Sequence, residues 1–170
     1  MKLIQDNPYR IAGILANSSE KELQKQKSKI TKYASIGKQV DSEFDFSFFG
    51  KVDRSENSIN KAFSAIEQNQ DKVVHSLFWF LKANSFDETA INYLINGDKD
   101  KAIEIWEKVT EGKEVTSKNF SCFNNIGTLK LLGNSKEELK EGIEAKIKLI
   151  ESTSFTDFVH TVADQTHTID

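Results

Sequence analysis

The apolar positions of this chain recur mostly at helical spacing, and the densest run of them is Asp71 to Leu81, DKVVHSLFWFL. At ~100° per residue its Val73, Val74, Leu77, Phe78, Phe80 and Leu81 fill an arc of roughly 160°, too wide for an ordinary surface helix. The pattern predicts a central, largely buried helix that ends near Asn84. The run is far shorter than the ~20 residues that cross a bilayer, so it reads as a core helix. The other elements follow from caps and periods. Asn7 before Pro8 is an N-cap with proline at the first helical position and opens a short helix through Tyr9, Ile11 and Ile14. Ser18, Ser19 and Glu22 open a longer helix that runs to about Ile36 and stops at Gly37, with a thin seam of Leu23, Ile30, Tyr33 and Ala34. Ser55 starts a helix with Ile59, Ala62, Phe63 and Ile66 at i, i+3, i+4 and i+7, expected to pack on the one before it.

Two helical hairpins follow the central run. The first covers Phe86 to Val109 and turns at Gly97. The second joins a helix from about Ser117 to Leu132 to one from Ser135 to Glu151, with Gly133 and Asn134 at the turn. Ser135 with Glu138 is a capping box, and Leu139, Ile143, Ile147 and Ile150 form a regular apolar seam. Between Lys38 and Arg54 no helical period is present, yet Phe44, Phe46, Phe48 and Phe49 crowd among Asp41, Glu43 and Asp45. A loop of that length is either functional or held down by its own side chains. Phenylalanines that fill gaps between helices are the favoured reading, a recognition loop the other.

Composition sharpens this picture. One proline, eight glycines and 38% apolar residues broken by regular charge suit an all-α fold. A formal charge of −3 gives no whole-molecule field that would draw the protein onto nucleic acid or anionic lipid. The single cysteine, Cys122, has no internal disulfide partner and reads as a buried thiol. The start MKLIQDNPYR lacks the apolar segment of a secretory signal, so a cytoplasmic location is expected. Neither G-x-x-x-x-G-K-[ST] nor G-x-G-x-x-G occurs, so no phosphate cradle is expected.

Two side-chain clusters carry candidate chemistry. Lys21, Lys25, Lys29 and Lys32 fall within roughly 80° on one side of their helix. They form a basic stripe that is either a solvated face or a docking surface for an acidic partner. No aromatic side chains accompany them to stack on bases, which disfavours nucleic acid. In the tail, Asp157, His160, Asp164 and His167 would share one side of a helix that continued that far, with Phe155, Phe158, Val159 and Val162 on the other. Carboxylate and imidazole are ligands for transition metals, but side chains along one straight helix cannot all enclose one ion. A wet face of an amphipathic helix is the plainer reading. His75 reads as an edge residue of the central helix, with no nucleophile tied to it.

The order of these signals resembles a J-domain of the heat-shock co-chaperone family. NPYRIAGI is similar to that family's "YxxLG(V/I)" opening, with Tyr9, Gly13 and Ile14 in place and Ala12 where leucine is usual. NSSEKELQKQKSKITKY resembles its second helix with the basic side, and INKAFSAIEQNQDKVVHS its third, Ala62 and Phe63 standing for the usual alanine and tyrosine. The match covers about Asn7 to Lys82. Where the family carries His-Pro-Asp after a tyrosine, this chain has Ala34, Ser35 and Ile36 after Tyr33. That tripeptide is what stimulates ATP hydrolysis by the chaperone partner, so no stimulation is expected.

The first hairpin, FDETAINYLINGDKDKAIEIWEKV, is similar to a tetratricopeptide repeat: Phe86 at the first aromatic position, Ala90 and Ala102 at the small ones, Tyr93, Gly97 at the turn and Trp106. Thr89 for leucine and Glu114 for the closing proline depart from it. The second hairpin shares only Ile126 and Gly127 with that pattern. The expected architecture is therefore a J-like unit, residues 1–84, packed against tetratricopeptide-like antiparallel hairpins with a C-terminal helix, residues 85–170, as a short α-solenoid. The expected function is a non-catalytic scaffold for a protein or peptide partner, without cofactor, nucleic acid or membrane. Its candidate contacts are Lys21, Lys25, Lys29 and Lys32 and, because inner-helix residues of such repeats line the groove, Asn92 and Tyr93. The alternative is a metal-dependent hydrolase using the tail's aspartates and histidines.

Overall fold

The computed structural model describes residues 1–169, and among them every regular element is helical. In chain order the α-helices are α1 (Lys2–Gln5), α2 (Pro8–Ala12), α3 (Glu20–Ala34), α4 (Glu56–Ser64), α5 (Asn69–Ser76), α6 (Ser85–Ile95), α7 (Lys99–Thr110), α8 (Phe120–Lys130), α9 (Lys136–Glu151) and α10 (Phe155–Val162), and two single-turn 3-10 helices, Glu43–Asp45 and Ser47–Phe49, lie between α3 and α4. The local signals act as the residues dictate. Asn7 Oδ1 accepts the Tyr9 amide at 3.0 Å, and Gly13 closes α2 in the left-handed region. That glycine is also required by space, since a Cβ there would lie 2.8 Å from both Arg54 Nη2 and Ser42 Cβ. Ser19 with Glu22 and Ser135 with Glu138 form complete capping boxes. The seam of α3 buries Leu23 and Ile30, whereas Tyr33 faces solvent. α4 packs on α2 as well as on α3.

The expected central helix is corrected in two ways. The run from Asp71 stays helical only to Ser76, and Leu77 to Ala83 is a turn followed by extended chain. The cause lies in side chains from distant segments. Asn7 Nδ2 donates to the carbonyls of His75 (2.9 Å) and Phe78 (3.2 Å), and Asn124 Nδ2 to those of Ser76 (3.1 Å) and Trp79 (2.9 Å). These amides share the His75 and Ser76 carbonyls with tightened i+3 bonds from Phe78 N (3.1 Å) and Trp79 N (3.2 Å), which stand in place of the i+4 bonds of a further helical turn. The turn drives Trp79, Phe80 and Leu81 fully into the core, leaving Leu77 and Phe78 half-buried and Val74 exposed. The wholly buried helix is instead α8, in which every residue from Phe120 to Leu129 is buried.

Phe80 to Lys82 runs extended between two supports. On one side Ala16 N donates to Phe80 O at 2.9 Å, Trp79 Nε1 to Ile14 O at 2.8 Å, and Asn17 exchanges hydrogen bonds with Lys82. On the other, Asn125 of α8 accepts from Leu81 N at 3.0 Å and donates to Leu81 O at 2.7 Å. The phenylalanine-rich loop closes over this aromatic centre. Phe46 packs edge-on against Phe80 and Phe49 lies tilted on Trp79, both buried, while Phe44 and Phe48 are half-buried. The loop is filler, and Arg54 holds it. Fully buried, its guanidinium grips the Asp45 carboxylate with both ends and also donates to the carbonyls of Ile11, Val40 and Arg10.

One apolar core runs from Ile4 to Val162 and crosses the Asn84–Ser85 junction. α6 pairs with α7, α7 with α8 and α8 with α9, while α10 returns onto α5 and α8. The expected seam of α9 is corrected. Ile143, Ile147 and Ile150 stand about half exposed (50%, 47% and 47%), and the inward face is Gly142, Lys146 and Leu149. Gly127 and Gly142 set this orientation. A Cβ on Gly142 would lie 2.9 Å from the Leu131 amide nitrogen and 3.0 Å from Gly127 O, so α8 and α9 touch backbone to backbone there.

Candidate interaction surfaces and the buried polar centre

The four lysines of the stripe, Lys21, Lys25, Lys29 and Lys32, are all exposed on α3. None of them forms an ion pair among the described residues. Lys25 and Lys29 also form one wall of a 520 Å³ cleft whose facing wall carries Asp41, Glu43 and Phe44. Helix period alone places this stripe, which is why it was legible without tertiary contacts. Asn92 is exposed and its carbonyl accepts from Asn96 Nδ2 at 2.9 Å. Tyr93 is half-buried, with the Lys101 ammonium 5.3 Å above its ring. The principal clefts of the molecule are lined by other residues. The small positions Ala90 and Ala102 and the large Trp106 are fully buried between their helices, but Phe86 is 42% exposed.

The tail does not assemble as a four-membered stripe. α10 ends at Val162, so Asp164 and His167 leave the helix that carries Asp157 and His160. Asp164 turns back on its own loop, accepting from Thr166 N at 2.8 Å and Thr166 Oγ1 at 2.6 Å. Those bonds hold its carboxyl below the usual range. Among the described residues no group of three or more His, Cys, Asp or Glu side chains is placed to hold a metal ion. His75 is half-buried, and burial lowers its pKa against the raising effect of Asp71.

A chemically dense region that sequence reasoning missed lies inside the fold. Asp87, fully buried, is surrounded by donors: Trp106 Nε1 (3.0 Å) and Asn125 Nδ2 (2.9 Å) to Oδ1, Ala83 N (3.0 Å) and Ser121 Oγ (2.5 Å) to Oδ2. It joins the first hairpin, the extended segment and α8 at one point. Cys122 borders it with Sγ 3.5 Å from Oδ1, and burial together with the Asp87 charge pushes the thiol up to about 12. A thiol so held is not a nucleophile at neutral pH.

Beside the Asp87 cluster, on the same polar stripe of α8, Lys146 is buried, and its Nζ donates to Asn124 O (2.6 Å), Asn124 Oδ1 (2.8 Å) and Thr128 Oγ1 (2.7 Å). Three acceptors match the three N–H groups of an ammonium, while burial pulls its pKa well below that of an ordinary lysine. A depressed lysine is a common mark of catalysis. Here all three hydrogen bonds go to α8, which makes the side chain a strut. Asn124 completes the logic: its amide N–H groups are committed to Ser76 and Trp79, so its oxygen faces Lys146.

A cleft of 230 Å³ between α7, α8 and α9 is lined by Phe123 and Ile126 and by Lys130, which sits between Glu107 (3.0 Å) and Glu141. Burial lowers the Lys130 pKa, but hydrogen bonds to the two glutamates outweigh it and the net shift is upward. The ammonium is therefore spent on internal pairing.

Fold and surface together define a helical protein whose buried Asp87 and Lys146 are hydrogen-bonded within the core and whose lysine stripe lies exposed on α3. Among the described residues no helix is long and apolar enough to cross a membrane. Comparison with protein-family models, with curated proteins and with solved structures gives no match.

Proposed function

We propose that this protein is a non-catalytic helical scaffold that binds an acidic protein or peptide segment along α3. The observation that carries the reading is the row of Lys21, Lys25, Lys29 and Lys32, exposed together on a helix anchored from behind by Leu23 and Ile30 and engaged in no ion pair among the described residues. Charges arranged in this way steer encounter and set specificity. The packing of α3 on α4 behind the short α2 supports a J-like N-terminal unit, and the run of neighbouring pairs from α6 to α9 supports repeat-like stacking behind it. Because Ala34, Ser35 and Ile36 stand where the co-chaperone tripeptide would be, the scaffold docks without stimulating a chaperone ATPase. Asn92, exposed, and Tyr93, half-buried, are secondary contacts on α6.

The test compares wild type with a variant in which all four lysines are glutamate, in pull-downs at moderate salt. A protein recovered by wild type, lost on raising the salt and lost with the variant supports the reading. Equal recovery by both, or no recovered protein, overturns it.

A further inference from the structure

α9 carries its apolar side outward. Ile143, Ile147 and Ile150 are each about half exposed, while Lys146 of the same helix points into the core. Lone exposed hydrophobics are ordinary, but an aligned row on one helix face marks an interaction surface. With Ile147 set at zero and ~100° per residue, Ile143, Ile150 and Leu139 lie within roughly 80° to one side. Lys140 and Glu151 border the row within about 40° on the other side. The row is thus a narrow seam with one charged edge and with Lys136 in line at its N-terminal end, facing away from α8.

We infer that the occupant of this seam is a second copy of the same helix, paired antiparallel about a two-fold axis near residue 145. The argument is that the seam is complementary to itself. A two-fold contact requires that if residue i meets j, then j meets i. Reversal of α9 about that point sets Ile143 against Ile147 of the second copy and Leu139 against Ile150. The same reversal brings Lys140 beside Glu151, opposite charges on the rim of an apolar strip. A parallel arrangement would instead set Lys140 beside Lys140 and Glu151 beside Glu151. Within one chain Lys140 reaches only Glu144, at 3.8 Å with both side chains well exposed, so it is free to change partner. The net charge of −3 opposes self-association little. The inference does not depend on the lysine stripe of α3, since the surface is a different one.

The strip is smaller than the ~800 Å² per partner of a standard stable interface, so the dimer is weak and forms as concentration rises. Sedimentation equilibrium on the full chain reads it: the average mass climbs from 19.3 kDa towards twice that value as the protein is concentrated to about 1 mM. Lys140→Glu and Glu151→Lys, both at exposed positions, each return the protein to monomer by setting like charges against each other. An equimolar mixture of these two variants restores the dimer, because each then meets its opposite. Circular dichroism confirms that both keep the helical fold. A wild type that stays monomeric throughout overturns the inference. So does a dimer that neither substitution weakens, or a mixture that fails to recover.

Discussion

Replacement of Asp87 by alanine is the sharpest probe of how this fold is joined. The carboxylate answers three donors that cannot turn away: Trp106 Nε1 at 3.0 Å, Asn125 Nδ2 at 2.9 Å and Ala83 N at 3.0 Å. The hydroxyl of Ser121 can rotate. A buried donor left without an acceptor costs ~1–3 kcal/mol, so three cost roughly 3–9 kcal/mol. Water entering the vacated space can answer one or two of them. The expected loss is therefore about 3–5 kcal/mol, a large fraction of the ~5–15 kcal/mol typical of a domain. Asp87→Asn keeps the shape. With its oxygen towards Trp106 and Asn125, the new amide meets the Ala83 N–H and orphans one donor, for a loss of about 1–3 kcal/mol. Urea unfolding followed by the fluorescence of Trp79 and Trp106, both fully buried, measures each change. A loss below ~1 kcal/mol for the alanine variant would refute the idea that this carboxylate holds three segments together.

Two further outcomes follow from the helix contact and from the buried acids. Gly142→Ala places a methyl 2.9 Å from the Leu131 backbone and forces α8 and α9 apart, for an expected loss of about 1–3 kcal/mol in thermal or urea unfolding; an unchanged midpoint would show that the two helices do not touch there. Stability should fall in alkali: the Cys122 thiol, 9.0 when free and about 12 when folded, and the Tyr9 phenol, 10.0 raised by burial to about 12, both ionise first in the unfolded chain. The folded state then holds protons that the unfolded state has lost, so the contribution is complete below pH 9 and is lost as pH rises through 12. Lys146 acts in the opposite sense, its depressed pKa making stability rise with pH up to the free value of 10.5. The comparison of wild type with Cys122→Ala cancels that term, and the variant should show the flatter alkaline slope.

Local signals carried as far as local physics reaches. The Asn7–Pro8 start, the two capping boxes and the Gly97 turn depend on residues within a few positions, and the structure has each of them. The end of α5 was hidden because the amides that cap it come from Asn7 and Asn124, in other elements. α8 was expected as a helix, and only its burial was hidden. Ser121, Asn124, Asn125 and Thr128 recur at i, i+3, i+4 and i+7, a spacing that reads as a wet helix face. Each has its hydrogen bonds inside the protein, so the stripe is buried. In α9 the periodicity identified a helix but not its rotation, because two glycines and a lysine fixed which side faces in. The exposure of the α3 lysines needed no such partner and was therefore readable. The tail stripe failed because it assumed a helix longer than the one that ends at Val162.

The pair of asparagines that grips the turn after α5 also bears on how the chain reaches its native state. One reaches across 71 residues to Phe78 and the other across 48 to Ser76. Closing such wide loops is slow, and the turn that carries Trp79 and Phe80 inward is gripped from both sides only when both are closed. Neither half of the polypeptide carries the complete grip: a fragment stopping at Asn84 lacks the second amide, and one starting at Ser85 lacks the aromatic pair itself. Synthesis must run past Asn124 before the grip is complete, so until about three quarters of the chain has been made the nascent protein holds its most apolar segment from one side alone, by Ile14, Ala16 and the phenylalanine loop.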